Sequence, residues 1–147
     1  MEETPWLVVF TDLEPLPADV TRVERVVYWL LRRVYAPGFR HVFAVRLLDG
    51  GKRFVIVNPY LNVLDVLILG VDEPIQGTVL SVGLWWEWLC DAVARGLPAV
   101  VVSPVRATSS PRVRLRLPTC VGIIKHLLGI GGFAVTPKQL YRCINRS

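Results

Sequence analysis

Apolar and polar residues alternate along this chain in patterns that predict both strands and helices. Strands are predicted over residues 6–10, 41–46, 54–58, 63–69, 78–82 and 99–103. Helices are predicted to begin at Thr21, near Trp85, at Thr119 and at Thr136. The pattern contains no internal repeat. It indicates a single domain over residues 1–147 with an α+β fold, in which a mainly antiparallel sheet is packed with three or four helices.

The first predicted helix has a clear amphipathic pattern. Thr21 and Glu24 have the spacing of a capping box, in which each side chain bonds the backbone N–H of the other residue. Ala36-Pro37-Gly38 ends the helix. The apolar stripe consists of Val23, Val26, Val27, Leu30, Leu31 and Val34. We expect this stripe to face the sheet.

Two predicted strands carry polar residues and are joined by a glycine turn. The segment Asp49-Gly50-Gly51-Lys52 is typical of a β-hairpin in which the first residue pairs with the last. This register sets Phe43 opposite Asn58. It makes His41 and Asn58 diagonal neighbours on one sheet face, with Cβ atoms about 7 Å apart or less. A slip of one residue would send them to opposite faces.

A cysteine begins the third predicted helix. Thr119 can cap this helix, so that Cys120 lies in its first turn. A helix N-terminus favours the thiolate, and a nearby protonated histidine favours it further. We therefore expect a nucleophile that is ionised near neutral pH, with His41 as base and later acid. Asn58 is expected to orient the imidazole and hold its tautomer. The chemistry implied is acyl transfer from an amide or ester to Cys120, followed by attack of water on the acyl group.

The order and context of His41, Asn58 and Cys120 resemble those of circularly permuted papain-like domains, the group related to NlpC/P60 peptidases. The resemblance covers residues 39–130 and is carried by Phe39-Arg-His41-Val-Phe-Ala-Val, Phe54-Val-Ile-Val-Asn58-Pro and Thr119-Cys120-Val-Gly-Ile-Ile-Lys. It implies a papain-like half-barrel. It also implies a strand histidine, a polar residue one strand later and a catalytic cysteine at the start of a late helix.

Each of these residues also has an ordinary structural interpretation. A cysteine in an apolar helix is usually a small buried side chain. A histidine at the start of a strand is often a packed or a surface residue, and Asn58-Pro59 is typical of a turn that ends a strand. The order of the three residues, the strand parity and the helix start together favour the catalytic interpretation.

The remaining thiols and the second histidine are weaker candidates. Cys90 lies within the Trp-rich helix, where the spacing predicts core packing. Cys143 lies in the last turn of the terminal helix and is interpreted as structural. His126 follows Cys120 by six residues, about 240° around a helix, and so faces away from that thiol.

The Trp-rich helix itself has two interpretations. Helical spacing places four side chains on one side and predicts that they pack in the core: Trp85, Trp88, Leu89 and Ala92. Indole rings also stack on sugars, so a ligand platform is the alternative. Trp86 lies off the stripe and is the tryptophan expected to be exposed.

Composition narrows the function classes. Hydrophobic residues make up 52% of the chain, yet no uninterrupted apolar stretch reaches the roughly 18 residues of a membrane span. We expect the apolar excess to be buried in the sheet or against a partner. Three separated cysteines form neither a disulfide framework nor a metal motif, so no metal or cofactor is expected. The acidic N-terminus does not resemble a signal peptide, which predicts cytoplasmic synthesis.

The net charge of +5 raises the question of an anionic partner. Arg112, Arg114 and Arg116 share one face of a further strand candidate that leads into Cys120. This face is either a solvated edge or a site for an anionic substrate or wall polymer. Nucleic acid is not an expected partner, because no DNA- or RNA-binding motif accompanies the arginines.

Functions of different classes remain open at this point. The first is a cysteine hydrolase, peptidase- or amidase-like, that acts on peptide or amide bonds of the cell wall. The second is an inactive papain-like module that serves as a structural or adaptor protein in a phage particle. It is supported by residues 133–142, which are similar to small proteins encoded among phage structural genes. Such a module would have protein partners and associate with the virion. The third is an acyltransferase or thioesterase that uses the same residues.

Overall fold

The computed structural model describes residues 4–12, 18–60, 63–75, 78–103, 119–129, 134 and 136–146. The strands within these ranges are β1 (Trp6–Thr11), β2 (His41–Leu48), β3 (Arg53–Tyr60), β4 (Val63–Gly70) and β5 (Ala99–Val102). The α-helices are α1 (Arg22–Val34), α2 (Val82–Ala94), α3 (Cys120–Leu127) and α4 (Pro137–Ile144). The prediction of an α+β fold with a mainly antiparallel sheet is confirmed.

The strands form one antiparallel sheet in the order β4-β3-β2-β1-β5. Strand β1 has neighbours on both sides, and Val8, Val9 and Phe10 are fully buried. This explains why β1 is a continuous apolar run, since both of its faces are covered. Strands β4 and β5 form the edges, where Val66 and Val101 remain exposed.

The β2–β3 hairpin has the predicted register. Its pairs run from Leu48 with Arg53 to Ala44 with Val57, the offset that sets Phe43 against Asn58. Asp49, Gly50 and Gly51 form the tight turn of the hairpin, with positive φ values of 52°, 66° and 90°. Glycine adopts this backbone region without steric cost, which explains the paired glycines. Asn58 does not end the strand, because β3 continues to Tyr60.

Alternation along β2 divides the core between the two faces of the sheet. Val42 and Ala44 pack with Val121, Ile124 and Leu128 from the α3 segment and with Leu140 of α4. Val45 packs on the other face with Phe54, Val82 and Leu89, the last two from α2. The parity of a residue on β2 therefore decides whether its side chain faces α3 or α2.

Helix α1 forms as predicted but packs differently. Its capping box is present: the N–H of Glu24 donates to Thr21 Oγ1 at 3.2 Å, and the N–H of Thr21 donates to the Glu24 carboxylate at 2.7 Å. No residue of the helix is buried. Five of the six stripe residues are exposed: Val23, Val26, Val27, Leu30 and Val34. The expectation that this stripe faces the sheet is therefore wrong.

The region around α2 corrects two expectations. The strand predicted over residues 78–82 is wrong, because Ser81 caps α2 and its Oγ accepts the N–H of Leu84 at 3.4 Å. Trp88 is exposed rather than buried. Trp86 is half-buried instead, with its ring centroid 5.6 Å from that of Phe54. Leu89 is buried as predicted, and Trp85 and Ala92 are half-buried. The covered side of the helix is therefore the predicted one, turned from Trp88 towards Trp86.

Candidate active site

Two of the three predicted site residues meet at the end of the β2–β3 hairpin. His41 Nε2 and Asn58 Oδ1 are 2.6 Å apart. His41 is buried and Asn58 half-buried. The hairpin register explains this contact, since it places the two side chains on one face as diagonal neighbours. A polar pair of this kind avoids the cost of burying either group without a partner.

The hydrogen bond assigns the protons of the imidazole. An amide oxygen can only accept, so Nε2 is the donor in this pair. In the neutral ring, Nδ1 then has the acceptor role. The ring also lies beside Phe43, with centroids 6.4 Å apart and an interplanar angle of 26°. His41 is therefore held in one tautomer and one orientation.

Cys120 is the first residue of α3, as predicted. Thr119 caps the helix, and its Oγ1 accepts the N–H of Gly122 at 3.0 Å. The thiol is half-buried and packs against the cluster that contains Val121 and Ile124. Among the described residues, neither Cys120 nor Cys90 forms a disulfide.

The environment of Cys120 disfavours the thiolate. Burial raises the pKa of the thiol, while the backbone N–H groups of Val42, Val121 and Cys120 itself lower it. Burial is the larger influence, so the expectation of a thiol ionised near neutral pH is wrong. The free energy needed to remove the thiolate from water exceeds the stabilisation that the three backbone N–H groups provide.

The amide of Val42 locates the thiol relative to the hairpin. Phe10 on β1 donates its N–H away from β2, to the carbonyl of Pro98 at 2.9 Å. Backbone groups alternate along a strand, so the adjacent Val9 directs its N–H towards its partner Phe43 on β2. Val42, which precedes Phe43, consequently directs its N–H towards β3. The Val42 N–H, which lowers the pKa of the Cys120 thiol, thus points to the β3 side of the strand.

The position opposite Val42 on β3 is a proline. The hairpin register sets Val42 against Pro59, two residues beyond the last pair, Ala44 with Val57. Pro59 has no N–H to return to β2. The Val42 N–H that lowers the pKa of Cys120 is thus at the end of the seam between β2 and β3, the same seam that the His41–Asn58 hydrogen bond crosses.

His41 and Cys120 approach this seam from different faces of the sheet. His41 shares its face with Phe43, whose ring centroid lies 6.2 Å from that of Trp85 in α2. Cys120 packs with the cluster on the α3 side. The structure thus brings His41 directly to Asn58, and it brings Cys120 to the backbone of Val42, the residue that follows His41.

Tyr35 is a neighbour of the thiol that the sequence analysis did not single out. It is the C-cap of α1. Burial raises the pKa of Tyr35, and the charge of an ionised Cys120 raises it further. The only sequence signal is its place before Ala36-Pro37-Gly38, which marks the helix end but says nothing about an electrostatic interaction with a residue 85 positions later in the chain.

The other candidates contribute little to this site. Cys90 is exposed on α2, contrary to the expected core packing, and His126 is exposed on α3. Cys143 is half-buried in α4. Arg112, Arg114 and Arg116 lie outside the described residues.

Comparison of this chain with protein-family models, with characterised proteins and with solved structures finds no significant match. Among the helices described here, none has the length and apolar character needed to cross a membrane.

Proposed function

We propose that this protein is a cysteine hydrolase of the papain-like type, peptidase- or amidase-like, that acts on peptide or amide bonds of the cell wall. Cys120 is the nucleophile, His41 the base and later the acid, and Asn58 the residue that orients His41. The observation that carries the proposal is the 2.6 Å hydrogen bond between His41 and Asn58. It crosses the seam at whose end the Val42 N–H lowers the pKa of Cys120.

Because His41 and Cys120 approach the β2–β3 seam from different faces of the sheet, the proposed reaction begins with transfer of the Cys120 proton to Nδ1 of His41 through one water molecule at the open end of the hairpin. The sulfur attacks the carbonyl carbon of the substrate in the same step. The N–H groups of Cys120 and Val121, at the start of α3, bind the negative charge that develops on the carbonyl oxygen. The imidazolium then protonates the leaving amine, and the C–N bond breaks to leave a thioester. Water, deprotonated by His41, attacks this thioester, which releases the acid and regenerates the thiol.

The raised pKa of Cys120 determines the order of these events. Because burial keeps the thiol protonated near neutral pH, proton removal belongs to the attack step rather than to the resting protein. The role of His41 is then that of a general base for a neutral thiol. The reactivity of Cys120 should consequently depend strongly on His41.

Acetylation by p-nitrophenyl acetate tests the proposal. The starting protein carries Cys90→Ala and Cys143→Ala, so that Cys120 is the remaining thiol. We expect p-nitrophenolate release with an acetyl group on Cys120, detected by mass spectrometry. His41→Ala should slow acetylation by about 100-fold or more, the usual contribution of a general base. Asn58→Ala should slow it less, because the base remains but loses its orientation.

The matched control is His126→Ala, which removes an exposed histidine from the same helix as Cys120. In this variant Cys120 should be acetylated at an unchanged rate. An unchanged rate in a folded His41→Ala variant, judged by its circular dichroism spectrum, would contradict the hydrolase. Transfer of the acetyl group to an added amine in preference to water would identify an acyltransferase, and faster reaction with thioesters than with esters would identify a thioesterase.

A second candidate function is a structural or adaptor module of a phage particle. It is favoured by exposed apolar side chains on α1 and on β4, where Leu64, Val66 and Ile68 are 49%, 54% and 60% exposed. Surfaces of this kind often mark protein interfaces. In this case Cys120 would acetylate slowly and independently of His41, while polar substitutions on these surfaces would prevent incorporation into the particle.

A further inference from the structure

Helix α1 has three distinct sides. Glu24, Tyr28 and Leu31 are half-buried and recur at intervals of four and three residues, so they mark the side that rests on the protein. The apolar stripe is centred roughly 100° away around the helix. Its exposed members are Val23 at 72%, Val26 at 57%, Val27 at 39%, Leu30 at 46% and Val34 at 68%. The stripe is exposed because the helix rests on a different side.

The third side of α1 is strongly basic. The helix carries four exposed arginines, Arg22, Arg25, Arg32 and Arg33. Its one acidic residue is Glu24, whose carboxylate is occupied by the N–H and hydroxyl of Thr21 at 2.7 and 3.0 Å. Arg22 and Arg33 lie along the edge of the apolar stripe next to Val26. The outward surface of α1 thus joins aliphatic side chains to arginines for which the described residues show no salt bridge, although Arg33 lies over the ring of Trp29 at 5.0 Å.

We propose that α1 docks in the plane of an anionic lipid surface. Aliphatic side chains of the stripe would enter the boundary between headgroups and acyl chains, while the flanking arginines would contact lipid phosphates. The long arginine side chains can bury their methylene groups and keep the guanidinium at the headgroup level. With 13 residues the helix is about 20 Å long, which suits a position along the surface.

Charge favours this occupant over a second copy of the chain. Two α1 helices packed stripe to stripe would bring their arginine rows together, with one acidic residue on each helix. Like charges at such an interface oppose association. An anionic bilayer instead satisfies the apolar and the basic parts of the surface together. The proposal is independent of the thiol chemistry and stands whether or not Cys120 is catalytic.

Vesicle flotation with the full chain tests this proposal. The probe is vesicles of phosphatidylglycerol and phosphatidylcholine in equal parts, compared with phosphatidylcholine alone. We expect the protein to float with the anionic vesicles, not with the neutral ones, and to dissociate as salt screens the charges. The double variant Val26→Gln/Leu30→Gln should lower partitioning by at least about tenfold. Arg22→Gln/Arg33→Gln should lower it by about fivefold for each arginine.

The matched control places the same two changes on β4. Val66→Gln/Leu64→Gln replaces a valine and a leucine that are 54% and 49% exposed, compared with 57% and 46% for Val26 and Leu30. Partitioning of this variant should be unchanged. All of the replaced side chains are exposed, and circular dichroism verifies that each variant is folded.

Several outcomes would overturn the proposal. These are no flotation with anionic vesicles, equal flotation with neutral ones, or partitioning that Val26→Gln/Leu30→Gln leaves intact. Loss of flotation in the β4 control would assign the contact to β4. A dimer detected by light scattering that dissociates on Val26→Gln/Leu30→Gln would show that a second copy covers the stripe.

Discussion

Helices α3 and α1 have the same kind of beginning and opposite surroundings. Each starts at a threonine whose hydroxyl accepts a backbone N–H of the first turn. Helix α3 buries Val121 and Ile124 against the sheet, whereas α1 buries no residue. With eight residues, α3 is too short to persist by itself and depends on tertiary packing. An apolar stripe thus identifies a helix, while the neighbouring elements determine whether the stripe is covered.

The largest expected difference between the two helices concerns their apolar side chains. Ile124 is fully buried and Leu30 is 46% exposed. Ile124→Ala should lower the free energy of unfolding by about 2–5 kcal/mol, because it removes buried methyl groups and leaves a cavity. Leu30→Ala should change it by less than about 0.5 kcal/mol. Urea denaturation measures both, and equal losses would mean that α1 is covered in solution.

Removal of the two helix caps should change stability by a smaller amount. Thr119→Ala removes the acceptor for the N–H of Gly122 and should lower the global stability by about 1 kcal/mol. Thr21→Ala breaks the capping box of α1, but it should mainly increase local opening, since α1 contributes no buried side chain. Amide hydrogen exchange distinguishes the two results. Faster exchange throughout the sheet in Thr21→Ala would contradict this expectation.

The smallest effect concerns alkaline pH and the thiol at the start of α3. Burial raises the pKa of Cys120 in the folded protein, so the folded state retains a proton that the unfolded state releases. Stability should therefore fall as the pH rises above about 8.5, the ordinary pKa of a thiol. Cys120→Ala should make this decline shallower in urea titrations at several pH values. Cys90→Ala, which removes an exposed thiol, should change the decline less.

The sequence predicted best what short-range rules determine. The glycine turn sets the register of β2 and β3, and strand parity then brings His41 to Asn58. Helix starts at Thr21, Thr119 and Thr136 were likewise predictable, because a capping side chain needs only residues within one turn.

The features that the sequence did not predict depend on contacts between distant segments. The pKa of Cys120 reflects the cluster around Val121 and Ile124 rather than the helix start alone. The exposure of the α1 stripe and of Trp88 depends on which side of each helix meets the sheet. Helical periodicity contains no information about that choice. The catalytic role of Cys120, His41 and Asn58 stays a prediction.

Pro59 leaves an interior strand of the sheet without one backbone N–H, which is uncommon. Prolines in sheets usually occupy edge strands, whereas β3 runs between β2 and β4. A residue with its own N–H at this position could donate to the carbonyl of Val42 and hold the strands close enough for the Val42 N–H to donate to the carbonyl of residue 59. The sulfur would then lose one of the few dipoles that favour its ionised form. The ionisation of Cys120 is thus linked to a missing backbone hydrogen bond between two strands.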